Sequence, residues 1–465
     1  MKSAMNPTTA MIAISTPSLR THWAAAWVAA AIGLNFGAAN ASPNVPPPAQ
    51  TQALMIRGAT LHTVSGADIV NGSMLVERGR ISAIGGPELK APAGAKTLDL
   101  AGRHVYPGML AADTTLGLAE IQSVRASVDT TETGALNPNA RALVAINADS
   151  ELIPVNRAGG VLAALSVPMS GPTGLIAGTS ALIQLDGWNW EDMSLIPEVA
   201  LHITVPNLRM NSALFPNMPE QRLADLRRNT EARLRLLEDA FTNAAAYARA
   251  RAADSATPID TRWEAMLPVL PDLAGGASQR PVFIEANDLA QIRYALDFAE
   301  RFKLRWVLVG GADAWRVADT LRERQVPVII GGLYRLPARR DDLPDALYTL
   351  PAKLAAAGVK FAISSGGRDS SNERNLPFEA GHARAYGLSD EEALKSVTLY
   401  PAQILGAADR LGSLEVGKHA SFFVSDGSPL EMRTHIERVF IQGREIELSD
   451  RQTRLRDKYQ QRYKP

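Results

Sequence analysis

The sequence predicts an α/β fold: a TIM-type (β/α)8 barrel with a composite β-sandwich built from both ends of the chain. Three observations predict it. Eight short apolar segments occur at 108–113, 160–167, 180–185, 200–206, 281–286, 305–310, 326–331 and 360–365. Helical stretches separate most of them, such as Leu289 to Arg301 and Ala314 to Arg324, and this alternation is the pattern of a parallel barrel. Before that region, residues 53–105 read as short strands broken by glycine turns, too few to close a core alone. Strand patterns return at 420–425 and 436–447 and can supply the missing partners.

From the N-terminus, Lys2 and Arg20 precede an apolar run, Trp23 to Phe36, and small residues follow, ending Ala39-Asn40-Ala41. That is the order of a secretory signal peptide. A membrane anchor needs roughly 20 apolar residues, more than this run offers. Cleavage after Ala41 is therefore expected, giving a periplasmic or secreted protein. N-terminal sequencing of the exported protein should begin at Ser42; a mature chain retaining residues 23–36 would overturn this. The expected layout is a signal peptide at 1–41, a proline-rich linker at 42–52 and a composite β-domain from 53–107 and 406–448. The barrel occupies 108–405 and a tail 449–465.

Within the barrel region the third strand is the least regular, and Thr173 to Gly187 also reads as a hairpin at the barrel edge. Residues 219–251 carry leucine and alanine at three- and four-residue spacing behind Pro219, an amphipathic helix. It packs on the barrel flank or serves as a partner helix.

Bulk composition narrows function. With 48 basic and 48 acidic residues, no nucleic-acid or anionic-membrane partner is indicated. Cysteine is absent, which removes disulfides, thiolate ligands and a cysteine nucleophile. Past the N-terminal run, no segment is apolar enough to span a bilayer.

The stretch Tyr106-Pro-Gly-Met-Leu-Ala-Ala-Asp-Thr-Thr-Leu-Gly-Leu118 resembles the strand-one signature of the amidohydrolase superfamily, which carries two histidines two residues apart. Pro107, Gly108, Leu116 and Gly117 match, while Asp113 and Thr115 stand at the histidine positions. The tail is similar too, through Ala393-Leu394, Thr398, Pro401-Ala402, Gly406, Arg410-Leu-Gly-Ser413 and Gly417-Lys418. The resemblance covers about 53–448 and is nearest the imidazolonepropionase-like branch. It implies a barrel with a composite β-domain and hydrolysis of non-peptide carbon–nitrogen bonds. Zinc or another divalent metal would activate water there.

The ligands that the resemblance implies are largely missing. No lysine occurs between Lys96 and Lys303, so a carboxylated lysine on strand four is excluded. His202 and His382 are the only histidines between Gly108 and Pro401. Glu285 stands near the strand-five histidine, glycine replaces the strand-six one, and Ser365 or Gly366 replaces the strand-eight aspartate, with Asp369 in the following loop. A binuclear zinc site is not expected. If a metal binds, Asp113, His202, Glu285 and Asp369 are the candidate ligands, and carboxylates would favour a hard cation such as Mg²⁺, Mn²⁺ or Ca²⁺.

Without metal, Asp113, Glu285 and Asp369 are the candidate catalytic acids and bases. A serine nucleophile from Ser166, Ser170, Ser364 or Ser365 would need His202 as its base. Arg125, Arg368 and Arg374, on loops after strands one and eight, are candidates to bind a substrate carboxylate; alternatively they pair with Glu120, Asp129, Glu132 and Asp369. Two functions follow as expectations: a divergent hydrolase of a small molecule, or a non-catalytic periplasmic relative that binds a ligand or partner. A homo- or hetero-oligomer, including pairing with an active paralogue, is compatible with either.

Overall fold

The computed structural model describes residues 45–209, 218–271, 276–337, 339, 342–366 and 370–463. The expected signal peptide and two of the candidate residues, Arg368 and Asp369, lie outside them. Short glycine-bounded strands come first: β1 (Leu54–Leu61), β2 (Ile69–Glu77), β3 (Arg80–Gly85), β4 (Lys96–Asp99) and β5 (His104–Pro107). The central region holds β6 (Met109–Thr114), β7 (Val161–Ser166), β8 (Ile176–Thr179), β9 (Ala181–Gln184), β10 (Ser194–Ile196), β11 (Leu201–Thr204), β12 (Val282–Ala286), β13 (Trp306–Gly310), β14 (Val328–Gly331) and β15 (Phe361–Ser364). The C-terminal strands are β16 (Phe422–Ser425), β17 (Ile436–Ile441) and β18 (Arg444–Ile446).

The two chain ends meet in one eight-stranded sheet, ordered β18-β17-β16-β5-β1-β2-β3, with β4 on β1. The seam is antiparallel β5–β16, with Pro107 opposite Phe422 and His104 opposite Ser425. Ile56, Leu61, Val105, Phe422 and Phe440 are buried together there, and the Phe422 and Phe440 rings stack at 4.6 Å. Burial of such side chains stabilises by roughly 1.5–3 kcal/mol each, so each end adds to the core of the other.

The central strands form a four-stranded sheet, β10-β9-β7-β6, and a six-stranded sheet, β15-β14-β13-β12-β11-β8. Strands β11 to β15 are parallel neighbours throughout, as are β6 and β7. The third expected strand, 180–185, is corrected. Its segment divides at Ser180, with β8 running antiparallel to β11 in one sheet and β9 antiparallel to β7 in the other. β8 and β9 do not pair with each other, so a simple hairpin is also excluded. The segment is short, buried and apolar on both sides, a pattern that carries no information on strand direction.

Alternation along the parallel strands sorts two apolar layers. Phe283, Val307, Val309, Ile329 and Ala362 cluster with Leu110 and Ala112. Their neighbours Val282, Ile284, Leu308, Val328, Ile330 and Ile363 face a second cluster that includes the helices. The long helix Glu220–Ala253 joins that second layer through Leu237, Ala240, Phe241 and Ala244. Phe241 meets Phe298 edge-on at 5.0 Å, and Arg301 Nη1 lies 2.7 Å from Glu238 Oε2. That face of the helix is therefore used for packing on the flank.

Buried charge links the central region to the end sheet. Asp186, 3% exposed, lies between Arg157 Nη1 at 3.4 Å and Arg444 Nη2 at 2.8 Å. Among the described residues no helix is long and apolar enough to cross a membrane.

Candidate active site

A cavity of about 290 Å³ opens at the C-terminal ends of the parallel strands, lined by Asp113, His202 and Glu285, together with Ser170, Thr204, Asn287 and Arg335. Strand alternation delivers two of these. Glu285 is two residues beyond Phe283 on β12 and shares its face. His202 and Thr204 share a face of β11, while Leu201 and Ile203 belong to the other layer.

Asp113 needs a further device. Leu110 and Ala112 point into the inner cluster, so strict alternation would turn Asp113 away. Ala111 pairs with Ala164 and Thr114 with Ser166, so β6 takes three steps where β7 takes two. One extra residue is a β-bulge, which re-aims the side chain that follows. Ser364 Oγ donates to the Asp113 carbonyl at 3.0 Å and ties β15 to this bulge. Thr115, at the second histidine position, is fully buried with an unpartnered Oγ1 and is not part of the cavity wall.

Thr204 Oγ1 lies 3.2 Å from Glu285 Oε2 and 3.1 Å from Ser170 Oγ, fixing the Glu285 carboxylate against β11. His202 is 7% exposed, its Nε2 has no hydrogen-bond partner, and its ring meets Phe283 edge-on at 5.2 Å. Burial pushes its pKa down to about 3, so the imidazole is neutral at ordinary pH. Among the described residues no serine hydroxyl is hydrogen-bonded to that nitrogen. The four serines are engaged elsewhere: Ser166 with the Leu116 carbonyl, Ser170 with Thr204, Ser364 with the Asp113 carbonyl and Ser365 with Glu373.

Among the described residues, no three His, Asp or Glu side chains come together as a metal cluster. The donor set does not fit a binuclear metal site: strand one offers one carboxylate, strand four no lysine, and strand six a glycine. At Gly310 (φ +92°) an added Cβ would lie 2.6 Å from Asn287 Oδ1, so that position admits no ligand side chain without displacing Asn287.

The two described arginine candidates, Arg125 and Arg374, do not converge here. Arg125 is exposed and donates to the Val128 carbonyl at 2.7 Å. Arg374 is exposed on the turn Ser370–Asn375. Neither lines the cavity; the cation that does is Arg335, which no sequence signal marked. His382 packs instead among Tyr334, Tyr348 and Tyr386.

Glu373 was also missed. It is fully buried, and Ser365 Oγ donates to its Oε2 at 2.5 Å. Burial, with the charges of Asp113 and Glu379, lifts its pKa to about 8 against the pull of Ser365 and Thr114. Glu379 accepts from the Leu333 amide at 2.6 Å, and burial raises it to about 7.

Comparison with known proteins gives the chain a family. Residues 310–446 match the Amidohydrolase family. An amidohydrolase of Hapsidospora irregularis is 25% identical over 417 residues, 80% of this chain and 39% of that protein. An imidazolonepropionase of Syntrophobacter fumaroxidans is 37% identical over 103 residues, 20% of this chain and 24% of that one. The chain thus spans well under two thirds of either curated relative. The solved amidohydrolase of Thermotoga maritima MSB8 superposes with a TM-score of 0.74 at 25% identity, covering 85% of this chain and 99% of that one.

The chain belongs to the amidohydrolase superfamily. Its fold is accordingly of the mixed α/β, TIM-barrel type. Divalent metal is the usual cofactor of the superfamily, which sets the missing donors of this member apart.

Proposed function

We propose that this superfamily member is a hydrolase of a small molecule carrying a non-peptide carbon–nitrogen bond, working by acid–base chemistry at Glu285 and Asp113. In this reading the two central sheets close into a TIM-type barrel, the end sheet forms part of a composite sandwich, and the mature protein is periplasmic. The observation that carries it is the meeting of Asp113, Glu285 and His202 in one cavity at the strand ends.

Glu285, oriented by Thr204, takes a proton from water as the oxygen adds to the acyl carbon. The same proton then passes to the leaving nitrogen as the carbon–nitrogen bond breaks. Asp113 holds the attacking water from the other side. His202 is a poor base in its buried place and serves as a neutral polar wall. Asp369, the third candidate, belongs to the same proposal as a carboxylate of the following loop.

A second reading is a ligand-binding relative without catalysis, favoured by Gly310 and Thr115 where the family signature has histidines. The deciding experiment is an activity screen of the purified mature protein on cyclic amides, with dipeptides and lactones as the contrasting classes and metal analysis alongside. Glu285→Gln is expected to lower kcat/KM by about 100-fold or more with an unchanged melting temperature. No turnover on any class, with ligand binding intact, would sink the hydrolase and leave the binding protein.

A further inference from the structure

Beside the cavity lies a second, larger groove of about 870 Å³, and the two share Asn287 and Arg335 as common wall residues. Its floor is rigid. Asp313, 3% exposed, is gripped by Arg339 at 2.6 and 2.7 Å and accepts the Leu289 amide at 3.1 Å, which anchors the start of the helix Leu289–Arg301. Arg339 also holds Asp342 at 2.9 Å. Arg316 also approaches Asp313 at 3.3 Å, and the other charged lining residues are Asp288 and Asp345 with Arg209, Arg335 and Lys353.

Its walls are apolar and open to solvent. Trp315 is 40% exposed, Leu336 91% and Leu343 69%. Lys353 Nζ sits 4.8 Å from the Trp315 ring centroid, on the exposed face of the helix Leu350–Ala356. The Arg316 guanidinium also lies over that ring, 4.7 Å from its centroid, so Trp315 holds two cations at an apolar rim, which suits a flat apolar group that ends in an anion. At the junction with the cavity, Asn287 Oδ1 is buried and has no hydrogen-bond partner. A buried carbonyl without a donor is destabilising, and a ligand N–H passing that point would relieve it.

We propose that this groove is a binding site for the aryl carboxylate end of an elongated ligand whose amide passes Asn287 into the cavity. The aryl ring packs along the rim made by Trp315 and Leu336, and the carboxylate meets Lys353. The inference rests on the reading of the cavity as a small-molecule site, but binding in the groove does not depend on turnover.

Calorimetric titration of the whole mature chain tests it with three probes. 3-Phenylpropionate should bind saturably at one site, and its neutral analogue 3-phenylpropanamide at least 10-fold more weakly. Lys353→Met should erase that difference, and Trp315→Ala should weaken the acid at least 10-fold. 3-(4-Acetamidophenyl)propionate should bind at least 10-fold tighter than 3-phenylpropionate, and Asn287→Ala should remove the gain. Glu285→Gln should leave 3-phenylpropionate affinity unchanged. Equal binding of acid and amide, indifference to both Trp315 and Lys353, or no gain from the acetamido extension would overturn the proposal. Loss of catalysis with these affinities intact would count against the hydrolase reading alone.

Discussion

Glu373→Gln is expected to stabilise the protein at pH 8 by on the order of 4 kcal/mol and to flatten its stability between pH 6.5 and 8. In the folded protein the Glu373 pKa is raised from 4.5 to about 8, chiefly by complete burial. Between those values the folded state keeps a proton that the unfolded chain has released. Stability therefore falls as pH rises through that window, by at most about 1.4 kcal/mol per pH unit, and the decline ends at the folded pKa. Glu379 acts in the same direction up to about 7. His202 acts oppositely, because its pKa is lowered from 6.5 to about 3. Its contribution grows as pH rises from about 3 to 6.5 and is lost as pH falls back through that range. The two trends oppose each other below pH 6.5, so only the carboxyl effect remains above it. Urea unfolding at pH 5, 6.5 and 8 separates them: parallel pH profiles for wild type and Glu373→Gln would mean that Glu373 is ionised in the folded protein. A neutral Glu373 also has a local consequence, since it adds no second negative charge beside Asp113.

What the sequence made legible follows from what period-two alternation can carry. Phe283 and Glu285 share a face because they are two apart, so placing Glu285 at the strand end was a local inference. The parallel strands β11 to β15 were likewise legible as apolar runs between helical stretches. Asp113 was legible only through the superfamily signature, because the bulge that turns it inward depends on how β6 pairs with β7. The direction of β8 and β9 was not legible, since strand direction is set by partners rather than by composition. Arg335 and Glu373 were hidden for the same reason. Each becomes significant through residues distant in sequence: Arg335 beside Asp113 and Glu285 in one cavity wall, Glu373 beside Asp113. Arg125, a basic residue on the strand-one loop, has a nearer use, donating to the carbonyl three residues ahead.

Rebuilding the superfamily histidines is expected to fail. Asp113→His with Thr115→His should confer no chelator-sensitive hydrolysis, and the purified wild type should carry substoichiometric zinc with a melting temperature indifferent to chelator. Zinc prefers nitrogen and sulfur donors, and a tight site would stabilise the native state by mass action. Position 115 does not face the cavity, so the second imidazole would enter the fully buried space now held by Thr115. Strand four would still contribute no lysine. Adding Gly310→His does not complete the set, because its Cβ meets Asn287 Oδ1 at 2.6 Å and its φ is +92°. Left-handed backbone costs a non-glycine residue about 1–2 kcal/mol and overpacking a further 1–3 kcal/mol. That variant should therefore be less stable by about 2–5 kcal/mol in urea unfolding, without gaining zinc. The opposite result is concrete. Stoichiometric zinc that survives dialysis in the wild type, with activity lost on chelation and recovered on zinc addition, would mean that the donors converge after all. The first ligands to replace would then be His202, Asp113, Glu285 and Asp369.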